Sequence, residues 1–533
     1  TSGGVNVTGA LTVNGAALQS GNTFTAVADG ALGANRAVLI QSNGKVKQVQ
    51  MVTTDITPFF YSDHITTESN MSDKFRNGIS IWDPDAHRLT TFWSQKPDTG
   101  SNYSPMANTK SVGTTGYVGG TPAQNTISSS HIPDWNGLGA CYDTNNNKYV
   151  VCYKNKSTGQ LYTKIGTYNS SNHDIEFSGS EETISSASVN NYTPVLAFDE
   201  VTNRVVICFR DQGSNSGYVT AYVGTVSGNS ISWGSAVTVS GTTQLTANLG
   251  LELLPLNDGG KMVAVWKPAS GGGVKATLLT VSNSSNTLSV GSTVDVVTTS
   301  QSVEFNIKAA WDDTNNCVIV AWRNPSEQLY LTRVSLSGTT WGTPTGSLQV
   351  DTDQGFYYDL QYSAAKGNVG IMRIDDGSSS NLKWNWITNT SGTPTASTDQ
   401  TADSGDVKWL HKGCSFTTST GIAGLYFPAQ YNTGGQQKAK AWMVRWTNTS
   451  CNLSNGTNPH QYVGFPDQAY SDGQTATIKT IGNTISGFSG FTPGTKYNVR
   501  TDGTVGSDDG PGTKAGLAIA SDTLLIGNNY VAS

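Results

Sequence analysis

Tyr142-Asp143-Thr144-Asn145-Asn146-Asn147, followed at once by the apolar run Tyr149-Val150-Val151-Cys152-Tyr153, is the stretch on which the fold turns. An aspartate at the start of such a turn accepts hydrogen bonds from the backbone two residues on. An asparagine at its end tolerates left-handed backbone, so the six residues predict a tight hairpin. The run that follows does not alternate apolar with polar side chains, which predicts a strand covered on both faces. The same unit returns at Phe198-Asp199 to Asn203 with Val205 to Phe209, and at Trp311-Asp312 to Asn316 with Val318 to Trp322. Trp82-Asp83 to His87 is a variant. Weaker copies centre on Leu256-Asn257, Tyr362-Ser363 and Phe416-Thr417, which makes seven units.

Taken at positions 83, 143, 199, 257, 312, 363 and 417, the units are 60, 56, 58, 55, 51 and 54 residues apart. Each holds room for further strands, such as Leu161 to Ile165 and Tyr218 to Tyr222, and for a polar edge such as Ile231 to Val239. Four strands at this period predict the blades of a seven-bladed β-propeller. The fold class is therefore all-β: a β-propeller of four-stranded blades flanked by small β modules. The predicted limits are 1–22 for a strand-repeat segment, 23–54 for a small β module, 55–455 for the propeller and 456–533 for a C-terminal β-sandwich or barrel. The seventh unit ends near Trp446, so residues upstream of the first, in the 49–60 region beside Val49 to Val52, are expected to complete the last blade.

Composition agrees. Of 533 residues 13% are charged, and the 59 glycines accompany a surface rich in Ser, Thr and Asn, which favour turns and strand faces over helix interiors. Thirteen Trp, 21 Tyr and 15 Phe supply the apolar area that a disordered chain lacks. The net charge of −6 without a basic run argues against a nucleic-acid partner. No stretch has the 18 or more apolar residues of a membrane helix, so no membrane insertion is expected. Thr1 opens no charged and apolar leader, and a start other than Met points to processing or truncation. Six cysteines, spread without a CxxC pair, are expected as buried free thiols.

The flanks carry a resemblance. Val5 to Val13 alternates before an Asn14-Gly15 turn, and Ile40 to Val46 around Asn43-Gly44 matches Val499 to Val505 around Asp502-Gly503. With Asp29 to Leu32, Asp472 to Ile478, Gly490 to Val499 and Lys514 to Ile519, these segments resemble fibre and appendage proteins of tailed bacteriophages, of the marine phage type. The resemblance implies a virion location, a homotrimer, and attachment to other virion proteins through the N-terminal segment. It implies adsorption to host cell-surface polysaccharide as a tail or capsid fibre, with a purely structural capsid or tail decoration as the alternative.

Within the repeat, each apolar strand ends on a ring or apolar residue and then a cation: Tyr153-Lys154, Phe209-Arg210, Trp266-Lys267, Trp322-Arg323 and Met372-Arg373. Equivalent positions on successive blades predict an arc of cations at one rim, suited to phosphates or carboxylates of a surface polysaccharide. The bland alternative is that each pairs with an acid such as Asp211 or Glu252 and caps its strand. Lys154, Arg210, Lys267, Arg323 and Arg373 are the candidate binding residues. No catalytic residue, metal ligand or cofactor is assigned: GxSxG and HExxH are absent, the repeated Ser-x-Asp-x-Gly-x-Thr-Trp turns of sialidases are missing, and acidic density at the turns is low for calcium. A propeller glycosidase or depolymerase stands as a second alternative.

Overall fold

In the computed structural model the aspartate turns form as the spacing predicts. Asp83 Oδ1 accepts from the N–H of Asp85 and Ala86 at 3.0 and 2.9 Å, and Asp143 Oδ1 from Asn145 and Asn146 at the same distances. Asp199 and Asp312 hold Thr202 and Asn315 in the same way. The closing residues His87, Asn147, Asn203 and Asn316 all have positive φ, between 47° and 54°. The four carboxylates are buried, so these hydrogen bonds replace the water they lose. Two of the weaker copies obtain the left-handed backbone from glycine instead, Gly259 and Gly260 in the turn at Leu256-Asn257 and Gly367 in the turn at Tyr362-Ser363.

The structure describes residues 12–13, 16–19, 23–40, 44–48, 59–65, 75–95, 104–112, 118–119, 125–128, 133–155, 157–185, 194–246, 250–256, 258–301, 303, 306–351, 357–364, 366–375, 380–388, 392–418, 422–433, 436–447, 462–499, 504–506 and 514–527. Apart from one short 3-10 turn, the regular elements among them are strands. Two compact units result: Pro58–Thr418 with Ala423–Arg445, and Thr1–Thr57 with Ser419–Ile422 and Trp446–Ser533.

The first unit is the propeller, with seven antiparallel sheets that we number blades I to VII. The inner strands of blades I to VI are Arg76–Asp83, Pro133–Asp143, Val195–Asp199, Leu251–Pro255, Ile307–Asp312 and Tyr358–Ser363. Blade VII has two short inner strands, Asp406–Leu410 and Cys414–Thr417, both paired with Ile422–Thr433. These inner strands lie against one another in order, and the seventh returns to the first. Backbone hydrogen bonds seal that last junction: Ser80 N–H to Lys412 O at 2.9 Å and Lys412 N–H to Gly78 O at 3.1 Å. Between blades II and III the inner strands approach so closely that a Cβ on Gly139 would lie 2.3 Å from the Pro194 carbonyl oxygen.

The second strands are sandwiched as their composition requires. All seven residues of Cys317–Arg323 are buried, and each aliphatic side chain there contributes about 1.5–3 kcal/mol. The fourth strand is a broken edge in five blades. In blade II, for instance, Asp174–Glu176 and Glu182–Ser185 pair separately with Leu161–Asn169. The outer strand of blade VII comes from the other end of the unit: Phe59–His64 pairs with Gln436–Thr447 in the register Phe59↔Arg445 to His64↔Lys440. The described closing strand shares Phe59 and Phe60 with the expected 49–60 region and runs on to His64, and residues 49–58 lie outside the described ones. The described cysteines, Cys141, Cys152, Cys208, Cys317 and Cys414, are not in disulfides, and burial pushes the thiols of Cys208 and Cys317 up to about 12. Cys451 lies outside the described residues.

The second unit joins the two chain ends. Thr23–Val27 pairs with Thr475–Lys479, and Val38–Ile40 with Tyr462–Pro466, inside one seven-stranded sheet. The two aspartate-glycine turns meet there, since Gly30 N–H donates to Asp472 Oδ1 at 2.7 Å. The matched hairpins close alike, with Ile40↔Val46 and Val499↔Val505 in register. A five-stranded sheet of C-terminal segments packs Ile485, Val499 and Leu524 against Leu39 and Phe465 of the first. The predicted 23–54 and 456–533 modules therefore share one core. Of the 1–22 segment, Thr12–Val13 and Ala16–Gln19 form a hairpin on this sheet through Leu18↔Phe24. Val5 to Leu11 lies outside the described residues.

Candidate functional site

In four blades a ring residue has a fixed place, followed by a cation in three of them and by Ser94 in blade I. Trp93, Tyr153, Phe209 and Trp322 each fall ten positions after the aspartate of their blade. Lys154, Arg210, Lys267 and Arg323 follow the ring, whereas Arg373, paired with Tyr358 as Trp322 is with Ile307, takes the ring register itself; none of the five is exposed. Lys154, Lys267, Arg323 and Arg373 are buried and Arg210 is half-buried. Arg373 donates to Asp351 at 2.7 Å and to Asp399 at 2.6 Å, and also to Asn385. Arg323 faces Glu327 at 3.4 Å. Arg210 bonds Gln212 and the Gly217 carbonyl, while Lys267 Nζ lies 3.4 Å from the Pro268 carbonyl and burial lowers its pKa. Arg323 and Arg373 thus pair with acids other than Asp211 or Glu252, namely Glu327, Asp351 and Asp399. Asp211 accepts from the Ser214 N–H of its own loop.

Glu252 belongs to a cluster at the propeller axis. It is the second residue of the blade IV inner strand, as Lys308 and Asp359 are of blades V and VI. Register places the three one step inside Trp266, Trp322 and Arg373 respectively, at the same end of the propeller: Glu252↔Val265, Lys308↔Ala321 and Asp359↔Met372. Lys308 Nζ meets Glu252 Oε1 at 3.0 Å, and Lys412 of blade VII meets Oε2 at 2.8 Å. Asp359 Oδ2 accepts from the Gly413 N–H at 2.7 Å and from Gln361 at 2.9 Å. Burial opposes ionisation of Glu252, but the two ammonium groups outweigh it and hold the carboxyl below its ordinary 4.5. Lys308 is raised because Glu252 and Asp359 outweigh its own burial. At Asp359 burial wins over the Lys308 charge and the donated hydrogen bonds, and the carboxyl is pushed above 3.8. The cluster ties blades IV, V, VI and VII together across the axis. Sequence reading missed it, although a charged second residue in three successive inner strands was a usable signal.

A third arrangement recurs where the second strand turns into the third. Blade II reads Tyr153-Lys154-Asn155 and then Gly159-Gln160-Leu161-Tyr162. Blade V reads Trp322-Arg323-Asn324 and then Glu327-Gln328-Leu329-Tyr330. The registers coincide, Tyr153↔Tyr162 with Lys154↔Leu161 and Trp322↔Tyr330 with Arg323↔Leu329. The residue before each glutamine is left-handed, Gly159 at φ 74° and Glu327 at φ 66°. The asparagine side chain caps each loop, accepting from Ser157 N–H in one and Gln328 N–H in the other. Each tyrosine hydroxyl donates to the glutamine Oε1, at 2.8 and 3.2 Å. Each half-buried tyrosine ring stacks on the inner ring, Tyr162 on Tyr153 and Tyr330 on Trp322 with centroids 6.5 and 4.8 Å apart.

No protein-family model matches the chain, and no curated protein matches it. Among solved structures, a protein of unknown function from Dyadobacter fermentans aligns at 12% identity, over 73% of this chain and 100% of its own, with a TM-score of 0.42. NanB sialidase from Streptococcus pneumoniae aligns at 10% identity over 74% and 71%, with a TM-score of 0.38. The fucose-specific lectin from Aleuria aurantia aligns at 15% identity over 62% and 97%, with a TM-score of 0.35. Likenesses this distant carry no weight, and the propeller rests on its sheet pairing and ring closure.

Proposed function

We propose that the chain is a bacteriophage virion appendage protein, a tail or capsid fibre, whose propeller binds host cell-surface glycan during adsorption. The observation that carries this reading is the division of the chain. Both ends fold together into a unit of their own, while the intervening chain closes on itself as a propeller. One unit is then available for attachment to other virion proteins and the other for presentation, as the resemblance of the terminal segments implies. The propeller offers half-buried tyrosines beside amides, the chemistry by which sugars stack their C–H faces and bond their hydroxyls. In a homotrimer, weak sites would gain avidity through effective concentration. Purified protein is expected to retain bacterial surface polysaccharide on a glycan array and to block adsorption of the phage that carries it. Absence of both effects would refute the reading.

One observation favours a second reading, a glycan hydrolase. Glu252 and Asp359 lie at the same end of the axis with pKa values pushed in opposite directions, the pattern of an acid and base pair. Against it, both Glu252 oxygens are engaged by lysines. A fall in polysaccharide viscosity on incubation, abolished in Asp359→Asn, would favour the hydrolase.

A further inference from the structure

We infer that the propeller carries two equivalent carbohydrate subsites, one in the loop of blade II and one in the loop of blade V. This rests on the reading of the propeller as a glycan-binding surface and specifies its sites and their number. The two loops differ in length by one residue, yet converge on the same arrangement of asparagine cap, left-handed residue, glutamine and stacked tyrosine. In blade V the left-handed position is occupied by Glu327, a conformation that costs a non-glycine residue stability. The pair with Arg323 helps to hold it there.

The shared geometry fixes a donor. In each loop the tyrosine hydroxyl occupies the glutamine Oε1, and in blade V the Asn324 amide bonds the same oxygen. Among the described residues neither Gln160 nor Gln328 has a partner for Nε2. A half-buried ring with an oriented, unpaired N–H₂ beside it fits a pyranose that stacks its apolar face on the tyrosine and offers a hydroxyl or carboxylate oxygen to the amide. Among the described residues of blades I, III, IV and VI the combination does not recur, although in blade III Tyr222 stacks on Phe209 from a different register, Ile207↔Tyr222. The residue across from the inner ring is Met106 in blade I, Thr220 in blade III and Lys275 in blade IV, and in blade VI Arg373 takes the ring register, across from Lys383. Blades II and V are three apart in a ring of seven, so the two subsites face different arcs of the rim.

The test is native mass spectrometry of the full chain with a panel of bacterial O-antigen and capsular oligosaccharides, neutral and acidic, two to four repeats long. Two oligosaccharides per chain are expected. Tyr162→Ala and Tyr330→Ala should each leave one, and the double variant none, with unchanged circular dichroism. Gln160→Ala and Gln328→Ala should weaken their own site by roughly tenfold, the loss of about one hydrogen bond to ligand. If an alanine at either tyrosine fails to fold, the glutamine pair supplies the same evidence. Preference for acidic members would assign the amide to a carboxylate, and binding of neutral ones to a hydroxyl. Binding that survives the double variants, or a stoichiometry other than two, overturns the two-site inference while leaving glycan binding in place. No binding to any member overturns both.

Discussion

The axis and the rim loops lie at the same end of the propeller and use polar residues in opposite ways. At the axis, Glu252, Lys308 and Lys412 come from three blades and satisfy one another, and Asp359 of a fourth accepts from the Gly413 N–H. In the loops of blades II and V, neutral side chains come from one blade each and leave a glutamine donor unpaired. Charge that links distant segments fixes geometry, because leaving either partner alone in a buried place is costly. Neutral groups held by a local loop keep their place whether or not a ligand arrives, and so remain available to one. Four of the five predicted cations side with the axis in being buried, and Arg323 and Arg373 pair with acids.

The contrast gives ordered expectations. Deleting residues 59–64 removes the outer strand of blade VII and bares the edge of Gln436–Thr447. Hydrogen exchange should show protection lost across that strand, and unchanged protection would mean that the ring closes otherwise. Glu252→Ala leaves Lys308 and Lys412 without their shared partner and is expected to cost about 3–5 kcal/mol in urea denaturation. A loss under 1 kcal/mol would remove the axis from the account of ring closure. Asp83→Ala is milder: it frees the turn N–H groups and the Tyr149 hydroxyl, which donates to Asp83 Oδ2 at 2.8 Å. It should cost about 1–3 kcal/mol by the same assay.

The smallest effect is on pH dependence. The Glu252 carboxyl is held below 4.5, so its contribution is full above that value and disappears as pH falls through the lower folded pKa. Asp359 has the opposite sign. Its folded pKa lies above 3.8, so the folded state holds the proton more tightly and stability from this group falls as pH rises through that window. Asp359→Asn should therefore raise the melting temperature slightly at pH 7 and lose that advantage near pH 3. A lower melting temperature at pH 7 would show that its attraction for Lys308 outweighs its burial.

Much of the propeller was legible because its chemistry is local. An aspartate, an asparagine four residues later and a ring ten residues after the aspartate describe blades II, III and V within a dozen residues. Blade I departs only in closing its turn with His87. Blades IV and VI were fainter because glycine supplied the left-handed backbone there, and Gly259 or Gly367 is not specific to a hairpin of this kind. Blade VII was faintest, with its inner strand interrupted between Leu410 and Cys414 and its outer strand taken from residues 59–64. The broken edge strands left no period to read. The axial cluster was hidden for another reason: Glu252 and Lys412 are 160 positions apart, and only ring closure makes them neighbours. Likewise, the matched hairpins at Ile40 and Val499 announced two modules, and nothing local to either announces that they share a core.

Saturation-transfer NMR of an oligosaccharide that the wild-type chain binds, repeated on Glu252→Gln and on the Tyr162→Ala/Tyr330→Ala double variant, tests the separation of axis and rim most directly. Transfer to the sugar should persist in Glu252→Gln, despite its lower melting temperature, and vanish in the double tyrosine variant while that protein stays folded. Transfer lost in Glu252→Gln and retained in the tyrosine variant would place the binding site at the axis and contradict the account.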